Sequence, residues 1–255
     1  MALAIVFLDL DGTLLYKGRP ALLAKEAIEA LKLNRHLPVI ATGRVPYLVR
    51  DIKDELKMDS YIAANGNYIV YQGKVIHERP IPADVVSRLL QASDELRFDI
   101  VMEGVEAYLA YRKETEKVDF FSDIFEIEHP HIDREYHHTH DIYAFVVFDD
   151  EVIPTLEKQF PELLFSRSNH FGFDVNLKGD LKAEGIQVLL THLNADPNDA
   201  YAIGDGYNDL TMIKKVAHGI AMGNAYEEVK NVAKYVTEDV FSGGVYLALK
   251  HYGLI

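Results

Sequence analysis

The chain has 255 residues, 49% of them hydrophobic, with no cysteine, 26 basic against 40 acidic side chains and a formal net charge of −14. At roughly 150 residues per domain this is one to two domains with a sizeable core. The composition excludes wholesale disorder, disulfides, thiol catalysis and Cys-based metal sites, and the charge argues against nucleic acid or anionic membranes as partners.

Ala2–Leu8 is apolar, has no basic segment before it and is broken by Asp9, so it is not expected to be a signal peptide. With no run of 18 apolar residues, no transmembrane helix is expected either, and a cytoplasmic enzyme fits. Ala4–Leu8 ends in Asp9-Leu-Asp-Gly-Thr13, the pattern of a buried parallel strand closed by a turn. Leu23, Ala27, Ile28 and Leu31 share one helical face. Val39–Ala41 ends in Thr42-Gly-Arg44, and Pro46 with Leu48, Ile52 and Leu56 predicts a helix opened by proline. Tyr61–Ala64 ends in Asn65-Gly66.

The middle reads differently. A helix is predicted over Ala83–Arg97, alternation marks Asp99–Glu103 and Ala107–Tyr111, and strands are predicted at Ile142–Phe148 and Phe171–Val175. This is an α+β insert over residues 81–178, flanked by Pro80 and Pro82 at one end and Lys178-Gly179 at the other. It holds 21 acids and 9 bases, net −12, against −2 for the remainder, which suggests two units with different surfaces. Beyond it, Ile186, Leu189, Leu190 and Leu193 define a helix, and Tyr201–Ile203 ends in Gly204-Asp-Gly-Tyr-Asn-Asp209. Asn224 with Glu227 resembles a capping box opening a helix through Ala233. Strand and helix alternate at both ends of the chain. That predicts an α/β fold, a doubly wound parallel-sheet (Rossmann-like) core from residues 1–80 and 179–255 with the insert as a second domain. Ligands of such sheets bind beyond the carboxyl ends of the strands, so residues near positions 9, 42, 65 and 205 are expected to share one crevice.

In an extended strand residues i and i+2 point the same way, so Asp9 and Asp11 are expected to place two carboxylates together. Unaided they repel, and one holds a proton. With Asp205 and Asp209 from another strand end they form an oxygen-only set suited to Mg²⁺; turn acids with nothing bound are the alternative. The Thr42 hydroxyl, the N–H groups near Gly43 and Lys182 at the start of the Ile186–Leu193 helix are candidates to hold a phosphoryl group. Arg44 either touches the substrate or pairs with the acidic insert. Five of eleven histidines lie between His129 and His140, but the spacing offers no evident fourth zinc ligand, so a polar loop is expected.

These residues resemble the haloacid dehalogenase superfamily, and within it the Cof-type phosphatases with a large (C2-type) cap inserted after the third core strand. Asp9–Leu14 matches the motif D-x-D-G-T-L, Thr42 the Thr/Ser at a strand end, Asn65-Gly66 the Cof-type Asn-Gly, Lys182 the motif lysine and Gly204–Asp209 the motif G-D-x-x-N-D. Ile220–Ala225 and Ser242–Val245 read the same way. Tyr207, and Asp180-Leu181 before Lys182, depart from the usual pattern.

The resemblance implies a phosphatase of small phosphorylated metabolites, sugar phosphates or phosphorylated cofactors. Asp9 would be the nucleophile that forms an aspartyl-phosphate, and Asp11 the acid and then the base. Mg²⁺ would be held by Asp9, the Asp11 backbone carbonyl and Asp205, with Asp209 and Asn208 supporting the metal's waters or Lys182. Thr42, Gly43, Lys182 and Asn208 would bind phosphoryl oxygens. The insert would be a lid that selects the substrate, and a monomer or weak dimer is expected. The alternatives are a phosphomutase or a catalytically weak regulatory protein on the same fold; a dehalogenase would not need the second aspartate.

Overall fold

The computed structural model describes residues 3–168, 170–179 and 181–255; the Asp180 half of the departure before Lys182 lies outside them. The chain divides into two compact units, one of residues 1–43, 51–78 and 180–255 and the other of residues 44–50 and 79–179. Residues 44–50, which the sequence reading left with the core, group with the second unit.

The first unit begins with β1 (Ile5–Leu8), the small hairpin β2 (Leu15–Tyr16) and β3 (Arg19–Pro20), α1 (Ala24–Leu33) and β4 (Leu37–Ala41). Helix α2 (Pro46–Glu55) follows, its first residues belonging to the second unit, and then β5 (Tyr61–Ala63), β6 (Tyr68–Tyr71) and β7 (Lys74–Glu78). The chain re-enters this unit with α6 (Leu181–His192), β13 (Ala200–Gly204), α7 (Leu210–Lys215), β14 (His218–Ala221), α8 (Glu227–Val232), β15 (Tyr235–Val236) and α9 (Gly244–His251). Among the described residues these strands form an eight-stranded sheet in the order β15-β14-β13-β1-β4-β5-β6-β7. The strands from β15 to β5 are parallel, whereas β6 and β7 return antiparallel as an edge hairpin that the apolar runs did not signal. All four residues of β1 are buried, as a strand covered on both faces requires.

The second unit holds α3 (Ala83–Leu96), β8 (Ile100–Glu103), β9 (Tyr108–Arg112), α4 (Lys117–Phe125), β10 (Ala144–Val147), α5 (Ile153–Gln159), β11 (Leu163–Arg167) and β12 (Phe173–Leu177). Its sheet is antiparallel, in the order β11-β12-β10-β8-β9. One face builds a core of Val101, Tyr108, Ala110, Val146 and Phe148 with Val118 and Phe121 of α4. Phe121 meets Phe148 edge-on at 5.4 Å.

Three histidines of the 129–140 segment pair with different acids. His129 reaches Asp119 and Asp123, His138 reaches Glu135, and His140 reaches Glu106 while stacking on Tyr136. The helix expected from Asn224 starts later, and Tyr226 rather than Asn224 is its N-cap, because the Asn224 side chain is committed elsewhere. No helix among the described residues is long and apolar enough to cross a membrane.

One close approach sets α6, the helix that carries Lys182. Gly185 faces the turn after β5, where an added Cβ would lie 2.9 Å from Gly66 Cα and 3.0 Å from Ile62 Cγ2. Alanine is the better helix former by about 1 kcal/mol, but overpacking against backbone costs about 1–3 kcal/mol. Gly185→Ala is therefore expected to be less stable than the parent in urea unfolding and to turn over substrate more slowly, because the helix must shift to relieve the contact. A variant as stable and active as the parent would contradict this.

Candidate active site

The site forms where β1, β4 and β13 end side by side. Leu8 is in register with Ile40 on one side and Ile203 on the other, and Asp9 N–H donates to the Ile203 carbonyl at 3.0 Å. Beyond β1 the chain turns at once. Thr13 and Leu15 N–H groups return to the Leu10 carbonyl, and Gly12 takes φ +84°, a left-handed conformation that suits glycine. A Cβ on Gly12 would fall 2.2 Å from Asp205 Oδ2.

This turn corrects one expectation. β1 ends at Leu8, so Asp11 is not in an extended strand with Asp9 and strand periodicity does not place its carboxylate; Asp9 is buried and Asp11 exposed. Asp11 still contributes to the field at Asp205.

The carboxylate oxygens of Asp9, Asp205 and Asp209 lie within 4.8 Å of one another, the one such acidic or histidine group among the described residues. Lys182, 1% exposed, donates to Asp9 Oδ1 at 2.9 Å and to Asp209 Oδ1 at 2.5 Å. Asp209 is fully buried, and its Oδ2 accepts the N–H groups of Asp205 and Gly206 at 3.0 and 2.9 Å. Both oxygens of Asp209 are thus engaged in shaping the loop and aiming the lysine. Asp205 accepts from Thr13 Oγ1 at 2.9 Å and from Asn224 Nδ2 at 3.3 Å.

The electrostatics follow from three acids around one cation. Burial, then Asp209, push the Asp9 carboxyl well above the usual range, and Lys182 only partly opposes this. Burial and Asp209 push Asp205 up to about 7. Burial would lower the Lys182 ammonium, but Asp209 and Asp9 outweigh it and hold it above its ordinary value. The pocket carries more negative charge than its lysine can offset, and its donors are all oxygen. That donor set fits a hard divalent cation.

The other predicted residues gather at the end of β4. Thr42 is buried, its N–H donating to the Ile62 carbonyl and its own carbonyl accepting from Asn65 N–H. A Cβ on Gly43 would lie 3.2 Å from Asn65 Oδ1 and 3.6 Å from Asn208 Nδ2, so Gly43, Asn65 and the exposed Asn208 converge. Asn65 has φ 52° and ψ 28°, and its buried Oδ1 has no protein partner. Arg44 lies in the second unit, near enough to Glu103 to favour its ionised form.

Two structural contributors were missed from sequence. Thr13 stood inside the first motif without a role. Asn224, expected to cap a helix and otherwise noted only within the matching run Ile220–Ala225, donates to the Gly12 carbonyl at 2.9 Å and to Asp205, and accepts from Val240 N–H at 2.9 Å. The available signal was the apolar run Gly219–Met222 ending in Gly223-Asn224, the same strand-end pattern that marked the other site residues.

Comparison with known proteins agrees with this geometry. A family model described as haloacid dehalogenase-like hydrolase matches residues 6–249. YkrA of Bacillus subtilis (strain 168), a phosphatase by name, is 33% identical over 98% of both chains. The 5-amino-6-(5-phospho-D-ribitylamino)uracil phosphatase YcsE of the same organism is 28% identical over 98% of this chain and 96% of its own. A crystal structure of a Geobacillus kaustophilus HTA426 protein superposes with a TM-score of 0.93 at 35% identity, covering 100% of both chains.

The pKa of Asp205 yields a test independent of turnover. A carboxyl that holds its proton more tightly when folded stabilises the fold at acid pH, and that contribution is lost as pH rises from the usual carboxylate range through about 7. Asparagine carries no such charge. In chelator, Asp205→Asn is expected to melt higher than the parent at pH 8, by about 5 °C, and level with it at pH 4. A difference that does not grow with pH would refute the charge imbalance.

Proposed function

The chain belongs to the haloacid dehalogenase-like hydrolases and is a Cof-type phosphatase, a phosphoric monoester hydrolase; from that premise we propose that it hydrolyses small phosphate monoesters, with Mg²⁺, through an aspartyl-phosphate on Asp9. The supporting observation is the buried Lys182 ammonium held between Asp9 and Asp209 at the end of β1. An ammonium and three carboxylates assembled at such desolvation cost support a functional site here.

An Asp9 carboxylate oxygen attacks phosphorus, the bond from phosphorus to the ester oxygen breaks, and Asp11 gives its proton to the departing alcohol. Asp11 then takes a proton from water, whose oxygen attacks the same phosphorus, releasing Asp9 and inorganic phosphate. Lys182, the Thr42 hydroxyl, the Gly43 N–H and Asn208 are proposed to hold phosphoryl oxygens, placing charge and donors where negative charge is held. Asp9, the Asp11 backbone carbonyl and Asp205 would hold Mg²⁺, with Asp209 supporting it through Lys182 and the loop. The bound cation would neutralise phosphoryl charge and favour the ionised form of Asp9. The second unit, which carries none of the motifs, is proposed to select the substrate. The ribityl phosphate in the name of YcsE favours a polyol or sugar phosphate over other small esters. A cysteine-free acidic chain fits a cytoplasmic setting.

Asp9→Asn removes the nucleophilic charge while keeping the shape, so turnover of p-nitrophenyl phosphate is expected to fall by at least about 10³-fold with the fold retained. Excess chelator should silence the parent and Mg²⁺ restore it, whereas Ca²⁺, with its looser 6–8 coordination, should restore little. Parent-level turnover by folded Asp9→Asn protein would exclude the covalent route.

A further inference from the structure

The first unit contains a cavity of about 620 Å³ that the phosphatase site does not use. Its lining comes from α6, the start of β13, α7 and the segment before β15, all of them within that one unit. None of Asp9, Lys182, Asp205 and Asp209 lines it. Ile186 and Leu190 of α6, Ala200 of β13 and Met212 and Val216 of α7 give it an apolar floor of buried side chains. The volume falls among the roughly 300–1,000 Å³ typical of small-molecule sites and is far more than a lone inorganic ion needs.

The rim of this cavity is cationic in an anionic chain. Lys214 and Lys215 of α7 and Lys234 line it, all three exposed, against the single acid Glu184. The Lys234 ammonium donates to the Ala217 carbonyl, itself part of the lining, which holds the charge at the cavity and leaves its other donors for a ligand. Neither Lys214 nor Lys234 pairs with an acid among the described residues. Elsewhere in the first unit lysines do find acids: Lys25 meets Glu55, Lys57 meets Glu29 and Lys230 meets Glu227. With 40 acids to 26 bases in the chain, two lysines without an acid beside one cavity make a local positive field. Cations in a last helical turn offset the helix dipole, which accounts for Lys214 and Lys215. It accounts neither for Lys234, which lies outside that helix, nor for the apolar floor between them.

We propose that this cavity is a second binding site, for a small organic anion with a flat apolar body and one phosphate, sulfonate or carboxylate group. The body lies on the floor of Ile186, Leu190 and Met212, where burial of apolar surface supplies most of the affinity. The anionic group meets Lys214 and Lys234 at the rim, where charge-assisted hydrogen bonds orient it. An uncharged aromatic molecule would gain the floor and forgo the lysines, and an inorganic anion would gain the lysines and leave the floor to water. The site stands whether or not the phosphatase reading holds, because its residues are separate from the acid cluster. Its occupant would nonetheless touch Ala183, the residue after Lys182, and Met212, three residues after Asp209.

The test titrates the full chain with 8-anilinonaphthalene-1-sulfonate, an aromatic anion whose fluorescence rises in apolar surroundings, and with N-phenyl-1-naphthylamine, the same body without the sulfonate. The parent is expected to bind the sulfonate with saturation and the uncharged dye at least about tenfold more weakly. Lys214→Ala combined with Lys234→Ala should weaken the sulfonate by about tenfold and leave the uncharged dye unchanged. Raising the salt concentration should act in the same direction as the lysine substitutions. Ala217→Phe, which places a ring at the lining, should weaken both dyes; if it does not fold, the exposed lysine variants carry the test. Affinity should be the same in Mg²⁺ and in chelator, since the acid cluster is elsewhere. Failure of the parent to bind the sulfonate, or binding that the lysine variants leave unaltered, overturns the proposal. So does equal affinity for the two dyes, and so does binding that requires Mg²⁺, which would put the dye at the acid cluster. None of these results bears on turnover of phosphate esters, so the phosphatase reading is judged separately.

Discussion

The first unit is organised around one buried ammonium. Lys182 is separated from Asp9 by 173 residues and from Asp209 by 27, yet all three meet where water is excluded. An ion buried without partners costs several kcal/mol, and removing one member of such a set is typically worth 3–5 kcal/mol of stability. The start of α6, the end of β1 and the loop after β13 therefore have to arrive together. Gly185 against Gly66 lets the helix come close enough to the sheet for the lysine to reach.

The remaining loops are tied to the same point. Asp209 turns its second oxygen to the N–H groups of Asp205 and Gly206, so the residue that steadies the lysine also shapes the loop that presents Asp205. Asn224 joins the Gly12 carbonyl, Asp205 and the Val240 N–H, linking three loops that follow different strands. Carboxylates held by backbone donors and by a fixed ammonium need little reorganisation when charge moves, which is the condition under which electrostatic catalysis is strongest. The same crowding leaves the acids with more negative charge than the lysine balances, and this makes a divalent cation a natural companion.

The second unit follows a different logic. Its antiparallel sheet builds an apolar core on the face that carries Val101, Val146 and Phe148, and Glu103, two residues beyond Val101, lies buried on that same face. A hydrophobic face that changes to buried acid and phenol groups is not what core packing alone selects. The two units also differ in composition, since the unit without the motifs carries most of the excess acid.

Sequence alone determined the architecture and the identities of the acids, because continuous apolar runs closed by turn residues mark the carboxyl ends of parallel strands whatever else the chain does. It singled out Asp9, Thr42, Lys182, Asp205 and Asp209 without any distance, and the fold brings Asp9, Lys182, Asp205 and Asp209 together. For Asp11 it relied on strand periodicity carried three residues past the end of β1, where Gly12 turns the chain. It misjudged Asn224 for a related reason: a side chain that can cap a local helix can equally bond groups distant in sequence, and only packing decides which. The buried pair Tyr108 and Glu103 of the second unit was illegible, because the two become neighbours only through strand register, and a shift of one residue would have turned each to the other face.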